Sequence, residues 1–216
     1  MGQCVDGMIV VPPRLQERKW SDVAPPVPPL VLLDRPAPEI EVDTLLADNY
    51  GGAEAATHKL IELGAKRVAF VGDALAIYTM RERHRGYRSA LETAGVEPDE
   101  ALEHATVHDA EQAEALVTTL LKEGDADAIF AANNHAAVGA LRAFRVCQRR
   151  VPLIGFDDFE AADIVDPGVS VVSHDIRLMG HRAGEILLQR MQGLQRPAET
   201  IVLPTKLVLR GSERLN

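Results

Sequence analysis

Short, uninterrupted apolar runs recur along this chain, separated by longer stretches with helical spacing. The clearest runs are Val68-Ala69-Phe70-Val71, Ala128-Ile129-Phe130-Ala131, Leu153-Ile154-Gly155-Phe156 and Val169-Ser170-Val171-Val172. Runs this short that are apolar at consecutive positions read as strands buried on both faces. Between Gly51 and Gly64, Ala53, Ala56, Thr57, Leu60 and Ile61 share one helical face, and Gly64 sits where a C-terminal cap belongs. Tyr87, Ala90, Leu91 and Ala94 make the next stripe, ended by Gly95. Ala113, Leu116, Val117, Leu120 and Leu121 make a third, with Asp109 and Gln112 spaced as a capping pair. Val138, Leu141 and Phe144 form a fourth stripe, and Ile176, Met179, Gly180, Ala183, Ile186 and Leu187 the last. Continuous apolar strands alternating with amphipathic helices predict an α/β fold, a parallel sheet with crossover helices on both faces.

The first 38 residues differ from the rest, because they hold eight of the 13 prolines. Pro25 to Pro29 suits neither a helix nor a central strand, and is expected to connect the runs Met8–Val11 and Leu30–Leu33 rigidly. At 216 residues the chain is long enough for one large domain or two small ones, each with its own core. Lys and Arg total 23 against 32 Asp and Glu, and the formal charge of −9 argues against a nucleic-acid grip on these residues. No apolar run reaches the length of a membrane span. Cys4 and Cys147 lie far apart with no metal-like spacing, which is cytosolic usage. The Met-Gly-Gln-Cys start has Asp6 where a myristoylation signal needs Ser or Thr, and no secretory signal is visible. A soluble, cytoplasmic protein is the expectation.

Ligands of open parallel sheets bind beyond the carboxyl ends of the strands. The apolar runs here lead into Pro12-Pro13, Asp34-Arg35, Asp48-Asn49, Gly72-Asp73, Asn133-Asn134, Asp157-Asp158 and His174-Asp175, so that almost every strand ends in a carboxylate, an amide or an imidazole. Singly, each is an ordinary cap or turn residue; together they mark a polar edge. Arg83 stands out among Arg81, Arg83, Arg85 and Arg88, because it precedes Tyr87 by four and Ala90 by seven and so shares the buried stripe. At the first turn of that helix it is expected to face the polar edge. Its forked donors, with the bidentate groups of Asp157 and Asn133, suit a small polyhydroxylated or anionic ligand.

Signatures of catalysis are missing: there is no nucleophile elbow, phosphate loop, dinucleotide fingerprint or His-Glu-x-x-His. Ser173-His174-Asp175 spells a triad, but triads assemble from separate elements. His104 and His108 have metal-like spacing without a nearby third ligand. Binding is favoured over chemistry, with no cofactor and no metal.

The order of these motifs resembles the effector-binding core of the LacI/GalR family of bacterial transcriptional regulators. The resemblance runs from Val5-Asp6-Gly7-Met8-Ile9-Val10 through Leu32-Leu33-Asp34-Arg35, Asp48-Asn49-Tyr50-Gly51-Gly52-Ala53 and His58–Gly64. It continues through Arg83-His84-Arg85-Gly86-Tyr87, Ala131-Ala132-Asn133-Asn134 and Gly155-Phe156-Asp157-Asp158 to Leu207-Val208-Leu209-Arg210-Gly211-Ser212. It implies two doubly wound lobes of the periplasmic-binding-protein type, with a small effector, a sugar or sugar-like metabolite, held between them. Residues 1–64 with 175–203 would form the first lobe and residues 65–174 with 204–216 the second. Carried over position by position, effector contacts fall on Arg83, Asn133, Asp157 and His174, with Asn49 and Tyr50 beside them. A homodimer is implied, touching DNA only through a helix-turn-helix that these residues do not include.

The resemblance also has departures. Asn134 stands where the family usually has Asp, and His174 where Gln or Arg is common. The stretch from Cys147 to Leu153 looks about three residues short of the usual connection. The chain begins where the family's third strand begins, so the first lobe is expected to lack its first two strands. A sugar-binding protein of a transport system is the alternative reading, and an α/β enzyme using Asp157 or His174 as acid or base is a third.

Overall fold

A computed structural model describes residues 5–13, 28–37 and 39–214. The Met1–Cys4 start and residues Pro25–Val27 of the proline-rich connection lie outside them. The chain separates into two compact units: Met1–Asp48 with His174–Pro204, and Asn49–Ser173 with Thr205–Asn216.

The first unit is built on a four-stranded sheet. Its strands are β1 (Met8–Val10), β2 (Leu30–Leu33), β3 (Asp43–Ala47) and β9 (Thr200–Leu203), side by side in that order and parallel throughout. Helix α5 (Ile176–Met191) buries Met179, Ala183 and Ile186 against Val31, Leu45, Ala47 and Leu203. The alternate residues Leu30 and Leu32 turn to the other face and pack with Ala37, Met8, Val10 and Ile40. Ile176, placed by its spacing on the buried stripe, is 68% exposed. It is the first helical residue, ahead of the turn that reaches the sheet, and Asp175 caps it by accepting from Leu178 N at 2.8 Å.

The second unit holds a six-stranded sheet. The strands are β4 (Val68–Val71), β5 (Glu103–His104), β6 (Ala128–Ala131), β7 (Leu153–Phe156), β8 (Ser170–His174) and β10 (Thr205–Val208), in the spatial order β10-β8-β7-β6-β4-β5. The pairs β4–β5, β4–β6, β6–β7 and β7–β8 are parallel. Its helices are α1 (Asn49–Glu62), α2 (Tyr78–Thr93), α3 (Ala110–Glu123) and α4 (Asn134–Cys147). Alternation along each strand sorts the core into two layers. Phe70, Phe130, Ile154 and Phe156 meet α1 and α2 through Ala53, Ala56, Leu60, Tyr87 and Leu91. Ala69, Val71, Ile129, Ala131 and Leu153 meet α3 and α4 through Ala113, Val117, Leu121, Ala137 and Ala140. All four β4, β6 and β7 residues are buried, which is why these strands read as unbroken apolar runs.

Two glycines set the distance within each helix pair. A Cβ on Gly86 of α2 would lie 2.2 Å from the Tyr50 carbonyl of α1, and one on Gly139 of α4 would lie 2.3 Å from Ala113 Cβ of α3. The close approach explains a difference on α4. Its buried side is Ala136, Ala137, Ala140 and Ala143 with Phe144, while Val138 and Leu141 are only half-buried. A stripe drawn through the largest residues misses a face made of the smallest.

The expected boundary at residue 64 is replaced in the structure by one at Asp48, because α1 belongs to the second unit. Its Gly52 is pressed against Val172, Thr205 and Phe156, and its Tyr50 against α2. The helix ends as its sequence predicts: Gly64 has φ 107°, Gly64 N donates to Ile61 O and Ala65 N to Leu60 O. Asp109 caps α3 by accepting from Glu111 N and Gln112 N, and Gln112 Oε1 accepts from His108 N.

Candidate functional site

The carboxyl ends of β4, β6 and β7 bring together three of the six residues that the sequence marks, and the N-terminus of α1 adds a fourth. Helix α2 begins at Tyr78, so Arg83 stands in its second turn rather than its first. It points inward and is 4% exposed. Its Nε donates to Asn49 Oδ1 at 2.8 Å, and its Nη1 donates to the Ala132 carbonyl at 2.7 Å. The same Nη1 is 3.0 Å from Asp157 Oδ2, and the guanidinium carbon lies 3.7 Å from the centre of the Phe156 ring. A guanidinium this far from water needs such company. The carboxylate offsets its charge, two oxygens take its protons, and the ring face offers a further electrostatic contact.

Asp157 reaches this position because the backbone bends at it. Its φ is 71°, in the left-handed region that Asp tolerates better than most residues, while its N–H still donates to Val172 O at 2.8 Å. The bend ends β7 and turns the carboxylate toward Arg83, leaving its side chain 29% exposed. The next residue, Asp158, faces away to Arg210, with Nη2 to Oδ2 at 2.7 Å. The Arg210 guanidinium holds the Asp158 carboxyl below the usual carboxylate range. Adjacent aspartates that look equivalent in sequence therefore have different jobs.

Asn133 is the N-cap of α4, its Oδ1 accepting from Ala136 N at 2.8 Å. Its amide nitrogen has a weak contact, 4.0 Å, with Met80 S, so it presents a donor beside the Ala132 carbonyl that Arg83 holds. Asn49 is buried as the Arg83 acceptor. Tyr50 is not brought to this group. Its hydroxyl donates to Ser89 Oγ at 2.8 Å, and Ser89 donates to Glu54 at 2.8 Å, a link between α1 and α2. His174 closes β8 and falls in the first unit, whereas the other five residues fall in the second. Its neighbour Asp175 is the α5 cap, which gives the Ser-His-Asp triplet a structural reason.

One contributor escapes the sequence reading, and one strand-end residue that it marks, Asp73, takes a partner that it does not foresee. Phe156 reads in sequence only as a strand residue, yet its ring carries the Arg83 guanidinium. Asp73, after β4, is 3% exposed; it accepts from Ala74 N at 2.8 Å and pairs with His108 Nδ1 at 2.5 Å. Only the fold shows that loops after β4 and β5 are neighbours. His104 and His108 separate: His104 is a half-buried β5 residue whose pKa burial pushes down, and His108 is exposed. Among the described residues, no group of three or more His, Cys, Asp or Glu gathers as metal ligands, and no helix is long and apolar enough to cross a membrane.

Residues 57–213 match the family model of a periplasmic binding protein-like domain. The HTH-type transcriptional regulator CelR of Thermobifida fusca is 33% identical over 98% of this chain and 64% of its own length. DegA of Bacillus subtilis, also an HTH-type transcriptional regulator, is 32% identical over 85% of this chain and 56% of its own. The chain thus spans less than two thirds of either relative. Among solved structures, a CelR–cellobiose complex gives a TM-score of 0.79 at 34% identity, covering 86% of this chain and 59% of that one. Transcription regulator CcpA of Lactococcus lactis gives 0.87 at 26% identity, covering 96% and 78%. With the model matching well over half of its residues and parallel sheets in both units, the chain belongs to the periplasmic binding protein-like family, as an effector-binding core of the LacI/GalR type.

Proposed function

We propose that this chain is the ligand-sensing core of a LacI-type transcriptional regulator, and that its effector is a sugar or sugar-like polyol bound at Arg83, Asp157 and Asn133. The observation that carries this reading is the pairing of Arg83 with Asp157 at 3.0 Å, beside an Asn133 amide that caps its helix with only its oxygen. A carboxylate that accepts, with a guanidinium and an amide that donate, matches vicinal hydroxyl groups, each of which both donates and accepts. The site is pre-organised: Asn49, Ala132 and Phe156 hold the guanidinium before any ligand arrives, which lowers the ordering cost of binding. The similarity to CelR, whose solved complex contains cellobiose, supports a saccharide over a nucleotide or metal effector.

Regulation then works by linkage. An effector that binds one state of the protein more tightly shifts the population toward it. DNA contact would come from a helix-turn-helix segment of the parent polypeptide, consistent with the acidic balance of these residues, and the working species would be a homodimer. His174 and Tyr50 remain part of the proposed ligand environment, Tyr50 through α1 rather than by direct contact.

The test is ligand-dependent thermal stabilisation over a panel of mono- and disaccharides, cellobiose among them. A saccharide at a hundred times its dissociation constant should add about 2.7 kcal/mol of stability. Asp157→Asn should abolish that gain. If no saccharide stabilises the protein, or if Asp157→Asn responds as the parent does, the reading is wrong.

A further inference from the structure

The second unit has another concavity, at the opposite end of its sheet from Arg83. It has a volume of about 190 Å³ and lies where β7 begins, between the end of α4 and the C-terminal segment. Its walls are apolar: Leu141 and Phe144 from α4, Val151 and Leu153 at the start of β7, and Pro167. Its polar lining is Ser212, Arg150 and Arg214. The Ser212 hydroxyl is already committed, donating to Leu153 O at 2.6 Å and accepting from Ser170 N at 2.8 Å. A ligand body in this space therefore meets hydrocarbon and no free side-chain hydroxyl.

The stretch of chain that forms one wall is basic in a protein of charge −9, while Asp166 and Glu213 flank the lining residues Pro167 and Arg214. Between Ala128 and Phe156 there is no Asp or Glu, while Arg142, Arg145, Arg149 and Arg150 succeed one another through the end of α4 and its connection to β7. That connection is only residues 148–152, and its Arg150 and Val151 line the concavity. Arg149 donates to Leu121 O and Arg150 to Asp166 O, so both are held by backbone carbonyls that carry no formal charge. Among the described residues none of the four is within ion-pair distance of a carboxylate. Glu213 is the nearest acid along the chain to Arg214, with Nε to Oε1 at 3.3 Å. Its carboxylate is turned inward, 2% exposed, to the Ser170 hydroxyl and the Gly211 N–H.

We propose that this concavity is a second ligand site, selective for a small apolar carboxylate. The body of the ligand fills the space between Phe144, Leu141 and Pro167, and its carboxylate lies at the mouth between Arg150 and Arg214. A polyol is disfavoured because its hydroxyls would be buried against hydrocarbon without partners. A bare anion is disfavoured because the two exposed arginines, without apolar burial, bind weakly through solvent. The combination selects a molecule with both properties, and it is independent of the Arg83 site and of the effector proposed for it.

Benzoate is a probe of suitable size. Amide chemical shifts of the isotope-labelled full chain should move saturably with millimolar benzoate at residues 141–151, 153, 168 and 211–214. Benzamide, of the same shape without the charge, and acetate, with the charge but no ring, should each bind at least about tenfold more weakly, the scale of one lost charge-assisted contact. Arg150→Gln and Arg214→Gln should each weaken benzoate about tenfold. Both side chains are at the surface, so these variants should keep the parent spectrum elsewhere and the parent response to saccharide. Shifts that do not saturate, that fall elsewhere, that are equal for benzamide, or that survive both arginine substitutions would each overturn the site.

Discussion

Arg83 Nη1 stands 3.0 Å from Asp157 Oδ2, so a residue of α2's second turn and the first residue after β7 are locked into one ion pair. The two members are unequal. Arg83 is 4% exposed and also serves Asn49 and the Ala132 carbonyl, whereas Asp157 is 29% exposed and turned to solvent on one side.

That inequality separates stability from binding. Arg83→Ala removes the buried donor shared by Asn49 Oδ1, the Ala132 carbonyl and the Asp157 carboxylate, leaves a cavity under Phe156, and should cost about 3 kcal/mol in urea unfolding. Asp157→Asn keeps an acceptor near the guanidinium in a partly wet position, and should cost about 1 kcal/mol. Asp157→Asn is therefore the cleaner probe of ligand binding. Equal losses from the two variants would contradict the burial difference.

Helix contact in the second unit should be intolerant of a single methyl. Gly86→Ala places a Cβ 2.2 Å from the Tyr50 carbonyl, and backbone cannot yield as a flexible side chain does. The expected loss is about 2 kcal/mol or more. Gly64→Ala meets no atom within 4 Å but has φ 107°, so its smaller penalty, about 1 kcal/mol, comes from backbone strain alone. Denaturant midpoints of the two variants check the ranking.

The first unit should lose stability in acid through Asp43. Burial alone would raise its pKa, but hydrogen bonds from Arg190 at 2.7 Å, the Glu199 N–H at 3.0 Å and Arg196 at 2.8 Å outweigh it and hold the carboxyl below its ordinary value of 3.8. A depressed folded-state pKa stabilises above the unfolded value, and that stabilisation is lost as pH falls below it. Stability should drop as pH is lowered from about 4. Asp43→Asn should be less stable at neutral pH by about 2 kcal/mol and flatter through the acid range, measured by chemical denaturation at stepped pH. A variant with the parent's acid slope would show that another carboxylate governs it.

Tyr87 should mark the alkaline side. Its hydroxyl donates to Val68 O at 2.8 Å, and burial raises its pKa well above the ordinary 10.0. The folded unit keeps the proton, so this contribution is whole below pH 10 and declines above it. In alkaline titration monitored by tyrosinate absorbance, Tyr87 should ionise only as the unit unfolds. Tyr87→Phe should remove that step and cost about 1 kcal/mol. Ionisation of Tyr87 before loss of structure would refute the account.

The basic architecture is legible in the sequence because it rests on local patterns. Strands buried on both faces must be apolar at every position, so Val68–Val71, Ala128–Ala131 and Leu153–Phe156 announce themselves. Caps are equally local: Asp109 with Gln112, and the left-handed Gly64, act on backbone groups a few residues away. The strand-end polar residues are visible too, and Arg83 is distinguishable by its spacing from Tyr87.

What the tertiary structure decided is what each of those polar groups does. Asp157 and Asp158 are chemically alike, yet a φ of 71° sends one to Arg83 while the other meets Arg210 from 52 residues away. The alanine face of α4 and the placement of α1 with the second unit depend on how closely two helices approach, which no period along one chain encodes. Periodicity specifies which side of an element is buried, because it arises from backbone geometry alone. Partners across the fold depend on where the chain returns, and for Asp73 and His108, Asp43 and Arg190, or Arg83 and Asn49 only the assembled sheet sets that distance.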